Sequence, residues 1–448
     1  MRVHRSFLTH WALALLPTIL ISACSSTRGS GEGTDWVAAY DTVGDTLVVR
    51  TLSGSVWRED AQLVPTVSIG MLSGPDEYIF GQVASLARAD DGTIYAMDRQ
   101  VPALRVYNGD GTYRATFGRG GEGPGEYEQP DGGLNVLSDG RVVLRDPGNA
   151  RIQVFSPEGV DLDTWRIRGG FHTSRRMVVD QEDRSYVTIL LDPEASVRDW
   201  EPALLQILPD GSHGDTLPFP DTAYDPPRIE ATSTNEAGEI AGMARNRVPF
   251  APDEHTVLSP MGYFIHGVST EYALTLLRTG ERHLRIEKAF APVAVTGGER
   301  AEEEARATRS MRRMDSNWRW NGPPIPEVKP PFDGLMAGED GTIWVRVPQP
   351  GVRGEDPDYD PADPDDLADE WTEPIVFDVF DAEGRYLGEV HTPKEFSPYP
   401  EPVFTRDWVL ATTRDEFDVQ RVVMFRVELP GGRLPADVEV GATDVGED

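Results

Sequence analysis

One internal repeat constrains this chain more than any other feature. Within Ile69 to Trp165 the sequence aligns with itself at an offset of 48 residues, with no gap. Gly70 falls on Gly118, Asp91-Gly92 on Asp139-Gly140, Ile94 on Val142, Asp98 on Asp146, Val106-Tyr107 on Val154-Phe155, Gly111 on Gly159 and Phe117 on Trp165. A fixed period of this length marks a repeat architecture, in which each unit needs its neighbours to bury its apolar faces.

Each unit reads as four short strands. In the first copy these are Val83–Ala87, Thr93–Met97, Leu104–Tyr107 and Tyr113–Phe117, separated by polar turns that include Asp91-Gly92 and Asp110-Gly111. Asp-Gly suits a hairpin because glycine accepts positive φ at little steric cost. Strands at about ten-residue spacing make a meander. Several meanders stacked radially bury both faces, which predicts an all-β fold, a β-propeller of four-stranded antiparallel blades.

The rest of the chain extends the pattern less regularly. The third unit is assigned to Met177–Val179, Ser185–Leu191, Ala203–Leu208 and Asp215–Phe219, and Pro220–Gly242 is read as a loop. The fourth takes Thr256–Ser259, Tyr263–Val268, Tyr272–Leu277 and Leu284–Phe290. Thr296-x-x-Glu299 has the form of a capping box and opens an exposed amphipathic helical insert at about 297–315. The fifth unit, Leu335–Ala337, Thr342–Val347, Ile375–Phe380 and Tyr386–Val390, is interrupted by an acidic insert at about 348–374. The sixth has three strands, Val403–Thr405, Asp407–Thr412 and Arg421–Val427. Leu63–Gly70 resembles a fourth strand without a unit of its own. Joined to the sixth unit it closes a six-bladed ring and leaves no free sheet edge. The propeller then spans residues 36–430, with an acidic tail at 431–448.

The Gly118–Tyr127 stretch contains G-x-G-x-x-G, but no helix follows: Pro124-Gly125 and Gln129-Pro130 do. A dinucleotide fingerprint must open a helix, so the stretch is read as the crossing between units. Its G-x-G-P-G-E-Y wording, followed by Asp-Gly and an apolar-aromatic pair, resembles NHL-type repeats. The chain from about Trp36 to Leu429 looks like a bacterial six-bladed β-propeller lipoprotein of that broad family. Propellers host many unrelated activities, so the resemblance implies a fold and leaves the activity open.

The N-terminus gives an address. Arg2 and Arg5 precede an apolar run, Phe7–Leu20, and then Ile21-Ser22-Ala23-Cys24. This reads as a secretory signal over residues 1–23. The tetrapeptide resembles a lipobox, which implies cleavage before Cys24 and lipid on its thiol. Cys24 is the only cysteine. Residues 24–35 form a Ser/Gly-rich tether. The expected location is the membrane, the outer one where the host has two, with the chain hanging from acyl chains as a monomer.

Charge excludes one class of partner. The net charge is −33, and nucleic-acid binding needs a basic face. No nucleophile elbow, H-E-x-x-H, Walker loop or S-x-x-K is present. No cofactor is expected. Asp356, Asp358 and Asp360 alternate in a Pro-interrupted acidic loop and offer oxygen ligands to Ca²⁺ or another divalent cation. Arg176, His255, Lys329 and Arg406 stand near the starts of inferred innermost strands, where a propeller's channel opens. Together they would hold a small anionic ligand such as a carboxylate or phosphate. Their bland reading is pairing with neighbouring acids. The functional expectation is an envelope-anchored module binding a small ligand or another protein. The alternative is a metal-dependent lyase or hydrolase at the channel mouth.

Overall fold

The hairpins anticipated at the Asp-Gly turns form, and side-chain capping shows why. Asp91 Oδ1 accepts the Thr93 N–H at 2.9 Å, Asp110 Oδ1 that of Thr112 at 3.0 Å, and Asp210 Oδ1 that of Ser212 at 2.9 Å. In each case the carboxylate spans a glycine in the left-handed region. The structure is a computed structural model and describes residues 27–29, 35–167, 175–192, 201–235, 240–356, 359, 361–362 and 367–434. The signal segment, Cys24 and the acidic tail from 435 onward lie outside the described residues.

Two meanders follow the repeat directly, and a third continues the pattern. The first pairs Val83–Arg88, Ile94–Asp98, Ala103–Tyr107 and Tyr113–Phe117 in chain order. The second pairs Leu134–Val136, Val142–Asp146, Arg151–Phe155 and Asp161–Arg166, and the third Val178–Val179, Ser185–Leu190, Pro202–Ile207 and His213–Pro218. The fourth, Glu254–Leu258 through His283–Lys288, gains a hairpin at its outer edge: Thr46–Ser53 runs parallel to His283–Lys288 and Val37–Val43 pairs with it. The fifth pairs Gly334–Ala337, Ile343–Arg346, Val376–Phe380 and Tyr386–His391. In the last sheet Val403–Phe404, Trp408–Arg414 and Gln420–Leu429 are joined by Ala61–Ile69, with Val422 opposite Ile69 and Val427 opposite Leu63. The architecture is all-β and propeller-like.

Meanders pack face to face through apolar clusters. Phe117, Tyr127, Leu144 and Phe155 fill the space between the first two, and Trp165, Ile207 and Val143 that between the second and third. The turn glycines make close approach possible. A Cβ at Gly159 would overlap the Phe117 ring, and one at Gly211 would overlap Trp165. Each turn therefore seats on the fourth-strand aromatic of the preceding sheet. Gly111 meets Val67 and Ile69 in the same way, so Ala61–Ile69 stands to the first sheet as Tyr113–Phe117 stands to the second.

The repeated aspartates serve the crossings. Asp98 is fully buried and accepts the N–H groups of Gly81, Gln82 and Gln100. Asp146, its counterpart, accepts those of Glu128 and Gln129. Backbone donors that leave a strand inside the core must find such an acceptor. The Gly118–Tyr127 stretch forms a crossing, not a helix: Arg119–Gly120 pairs in parallel with Glu126–Tyr127, and Gly123 N–H reaches Glu126 Oε2 at 2.8 Å.

Two sequence readings need correction. The Pro220–Gly242 region is not simply a loop, because Arg228–Thr234 pairs with Ile240–Arg247 in a two-stranded ribbon. Its alternation is one-sided, with Ile229 and Ala231 buried against Met311 and Trp318, and that partner surface is distant in sequence. The helix, Gly297–Arg312, has the full capping box but is less exposed than its composition suggests. It buries Glu299, Glu302, Ala307 and Met311.

Candidate functional site

A cavity of about 500 Å³ opens where the first strands of the sheets converge. Its wall takes Arg88 from Val83–Arg88, Asn135 and Val136 from Leu134–Val136, Val178 and Val179, the strand Glu254–Leu258, and Leu335 and Ala337 from Gly334–Ala337. Glu401, two residues before Val403–Phe404, completes the circuit. The repeat offset maps Arg88 onto Val136 and Asp90 onto Ser138, and all four line the cavity.

The structure brings together two of the four cationic candidates, Arg176 and His255. Arg176 pairs with Glu339, and its N–H faces Glu401 Oε2 at 3.5 Å. Enclosure pushes the Glu401 carboxyl up, against the opposing pull of Arg176. Burial pushes His255 down to about 4, with Arg247 and His266 adding to the effect. Its ring lies against Phe332, centroids 5.2 Å apart, and is a neutral imidazole at pH 7.

Lys329 and Arg406 are not cavity residues. Lys329 is buried, and its three ammonium protons are taken by Glu299 Oε1 at 2.7 Å, Glu373 Oε2 at 2.6 Å and the Gln349 carbonyl at 2.7 Å. An almost dry ammonium with three acceptors has nothing left for a ligand. Arg406 sits past the end of Val403–Phe404, on the turn to Trp408–Arg414, with its N–H on Asp340 Oδ2 at 2.7 Å. Its residue number is near a strand start, but the strand is only two residues long and carries it beyond the cavity.

Sequence reasoning missed Arg247, Glu339 and Glu401. Arg247 comes from the unanticipated ribbon and pairs with Asp253. Arg247 and His255 form a wall shared with a smaller recess of about 220 Å³ that also holds Lys329, Asp333 and Glu373. Enclosure pushes Asp333 up to about 6, although Arg346 Nε, 3.5 Å away, pulls the other way. A third of that side chain stays open to the recess, so water moderates the effect. The ribbon, the helix and the hairpin Val352–Glu355/Asp369–Thr372 gather around this side.

Asp356 lines the groove between helix and hairpin. Asp358 and Asp360 lie outside the described residues. Among the described residues, the one cluster with metal-ligating geometry is elsewhere, at Asp60, Glu389 and His391.

No protein-family model matches the chain, and no curated protein matches it. Solved structures similar to it include a member of the DUF4221 family from Bacteroides vulgatus, with a TM-score of 0.49 at 11% identity over 83% of this chain and 98% of that one. A gluconolactonase from Xanthomonas campestris gives a TM-score of 0.37 at 13% identity, covering 81% and 98%. A virginiamycin B lyase from Staphylococcus aureus gives 0.36 at 10% identity, covering 81% and 99%.

Proposed function

We propose that the chain is an exported, lipid-anchored, six-bladed β-propeller of NHL-like type, closed by Ala61–Ile69, that binds a small polar ligand bearing an acidic group in its central cavity. The observation that carries this reading is the convergence of five first strands and Glu401 on one space of about 500 Å³, a size suited to a small molecule. Arg176 supplies the fork for a carboxylate or phosphate, with Arg175 and Arg247 on the same wall. The acids beside them, Glu339 and Glu401, would take hydroxyl or amine groups of the same ligand. The anchor rests on Ile21–Cys24 and the tether on the Ser/Gly-rich segment that follows. The protein would act as a monomer at a membrane surface.

Calorimetric titration of the mature chain with succinate and with inorganic phosphate tests this. One of the two should saturate a single site, and Arg176→Gln should weaken it about tenfold or more, the worth of one charge-assisted hydrogen bond. Uptake of neither anion, or equal affinity in the variant, would contradict the reading. A catalytic reading, a lyase or hydrolase at the mouth, has one observation in its favour: a carboxyl at about 6, Asp333, shares the recess with the neutral imidazole of His255. Hydrolysis of a chromogenic ester by the purified chain, lost in Asp333→Asn, would favour it.

A further inference from the structure

Asp60, Glu389 and His391 meet away from the central cavity, where Tyr386–His391 runs beside the start of Ala61–Ile69. The two strands are parallel, with Val390 paired to Ala61 and His391 to Gln62. That register sets Asp60 abreast of Glu389. Residues 389 and 391 share one face, because side chains alternate along a strand. One ligand atom from each of the three lies within 4.8 Å of the others, and His391 Nε2 is 2.9 Å from Glu389 Oε1.

The charge balance around these residues is unfavourable as it stands. Like charges abreast on neighbouring strands repel. Beside Glu389 on the next strand Asp378 is buried, and its oxygens accept from Tyr272 Oη at 2.5 Å, Tyr386 Oη at 2.6 Å and Lys288 Nζ at 3.0 Å. Three carboxylates thus face one ammonium, already engaged by Asp378, and one imidazole. A bound cation would offset this imbalance.

We propose that Asp60, Glu389 and His391 form a binding site for a divalent cation of the zinc class. The imidazole nitrogen selects against Ca²⁺ and Mg²⁺, which take oxygen, and the two carboxylates supply charge. At metal–ligand distances of about 2.1 Å, tetrahedral ligands stand about 3.4 Å apart. Asp60 is exposed, and Glu389 and His391 are half-buried. Three protein ligands leave a fourth position for water. The cation would pin the entry of the N-terminal strand to the fifth sheet, at the junction on which closure of the ring depends.

The test uses the full chain carrying Cys24→Ser, so that the thiol does not compete, stripped with a chelator and titrated with zinc chloride against a chromophoric chelator. One equivalent should bind. His391→Ala and Asp60→Asn should each weaken it by at least about 100-fold, beyond the loss from outer-shell changes. His213→Ala, on the exposed strand His213–Pro218, should leave it unchanged. Zinc should raise the unfolding temperature of the parent chain and not of the two site variants, whose metal-free unfolding should match the parent's. No stoichiometric uptake, or equal uptake by His391→Ala and Asp60→Asn, overturns the site. Calcium binding as tight as zinc overturns the cation class.

Discussion

Lys329→Met is expected to destabilise the chain by about 3–5 kcal/mol, the cost of breaking a buried ion pair from one side. The ammonium lies between Glu299 and Glu373 with almost no exposure. Glu299 has no slack to compensate. Its Oε1 also accepts the Gly351 N–H at 3.1 Å, and its Oε2 closes the capping box on Thr296 N–H at 2.8 Å. Removing Lys329 leaves two carboxylates facing each other in an enclosed recess, and one must take up a proton or the helix must move. Denaturant unfolding at pH 7 measures the loss. Adding Glu299→Gln and Glu373→Gln to Lys329→Met should recover most of it. A single variant as stable as the parent would show that the helix and the acidic-insert hairpin are not held by this residue.

Acidification should cost up to about 3 kcal/mol through His255 alone. Its imidazole resists protonation down to about 4 in the native chain, whereas the unfolded chain takes the proton near 6.5. Between those values the unfolded state binds more protons. The stabilisation is therefore complete above pH 6.5, falls as pH falls, and is gone below about 4. Asp333 works in the opposite sense: a carboxyl raised to about 6 makes the native state the better proton acceptor between roughly pH 4 and 6. The parent's stability curve should consequently be shallow, and comparison with His255→Gln should isolate the histidine. Unfolding at pH 7, 5.5 and 4.2 provides the measurement. Parallel curves for parent and variant would mean that His255 takes its proton freely.

The meanders were legible because their determinants are local and repeated. Asp-Gly turns, alternating apolar residues and the 48-residue offset each act within one unit, and the same offset carries Arg88 to Val136 on the cavity wall. The ribbon was not legible. Ile240–Arg247 contains Gly242, Asn246 and Arg247 and is stabilised by a helix more than fifty residues on. Arg247 was lost with it. Lys329 was misjudged for a related reason: its three acceptors come from the helix, the hairpin and the Gln349 carbonyl, and no local pattern links them. Arg176 and His255 line the cavity because each lies next to, or on, a strand that the repeat logic had already placed at the centre.

The proposed ring closes by Ala61–Ile69 completing the last sheet, so the most direct measurement is a cross-link across that pairing. Val64 and Arg426 are cross-strand partners, and antiparallel partners stand about 4.5–5.5 Å apart at Cα, within disulfide reach. In a Cys24→Ser chain, Val64→Cys with Arg426→Cys should oxidise to an intramolecular disulfide, seen as a faster-migrating monomer and a raised unfolding temperature that reductant reverses. Free thiols after oxidation, or disulfide only between chains, would contradict the closed ring and the central site with it.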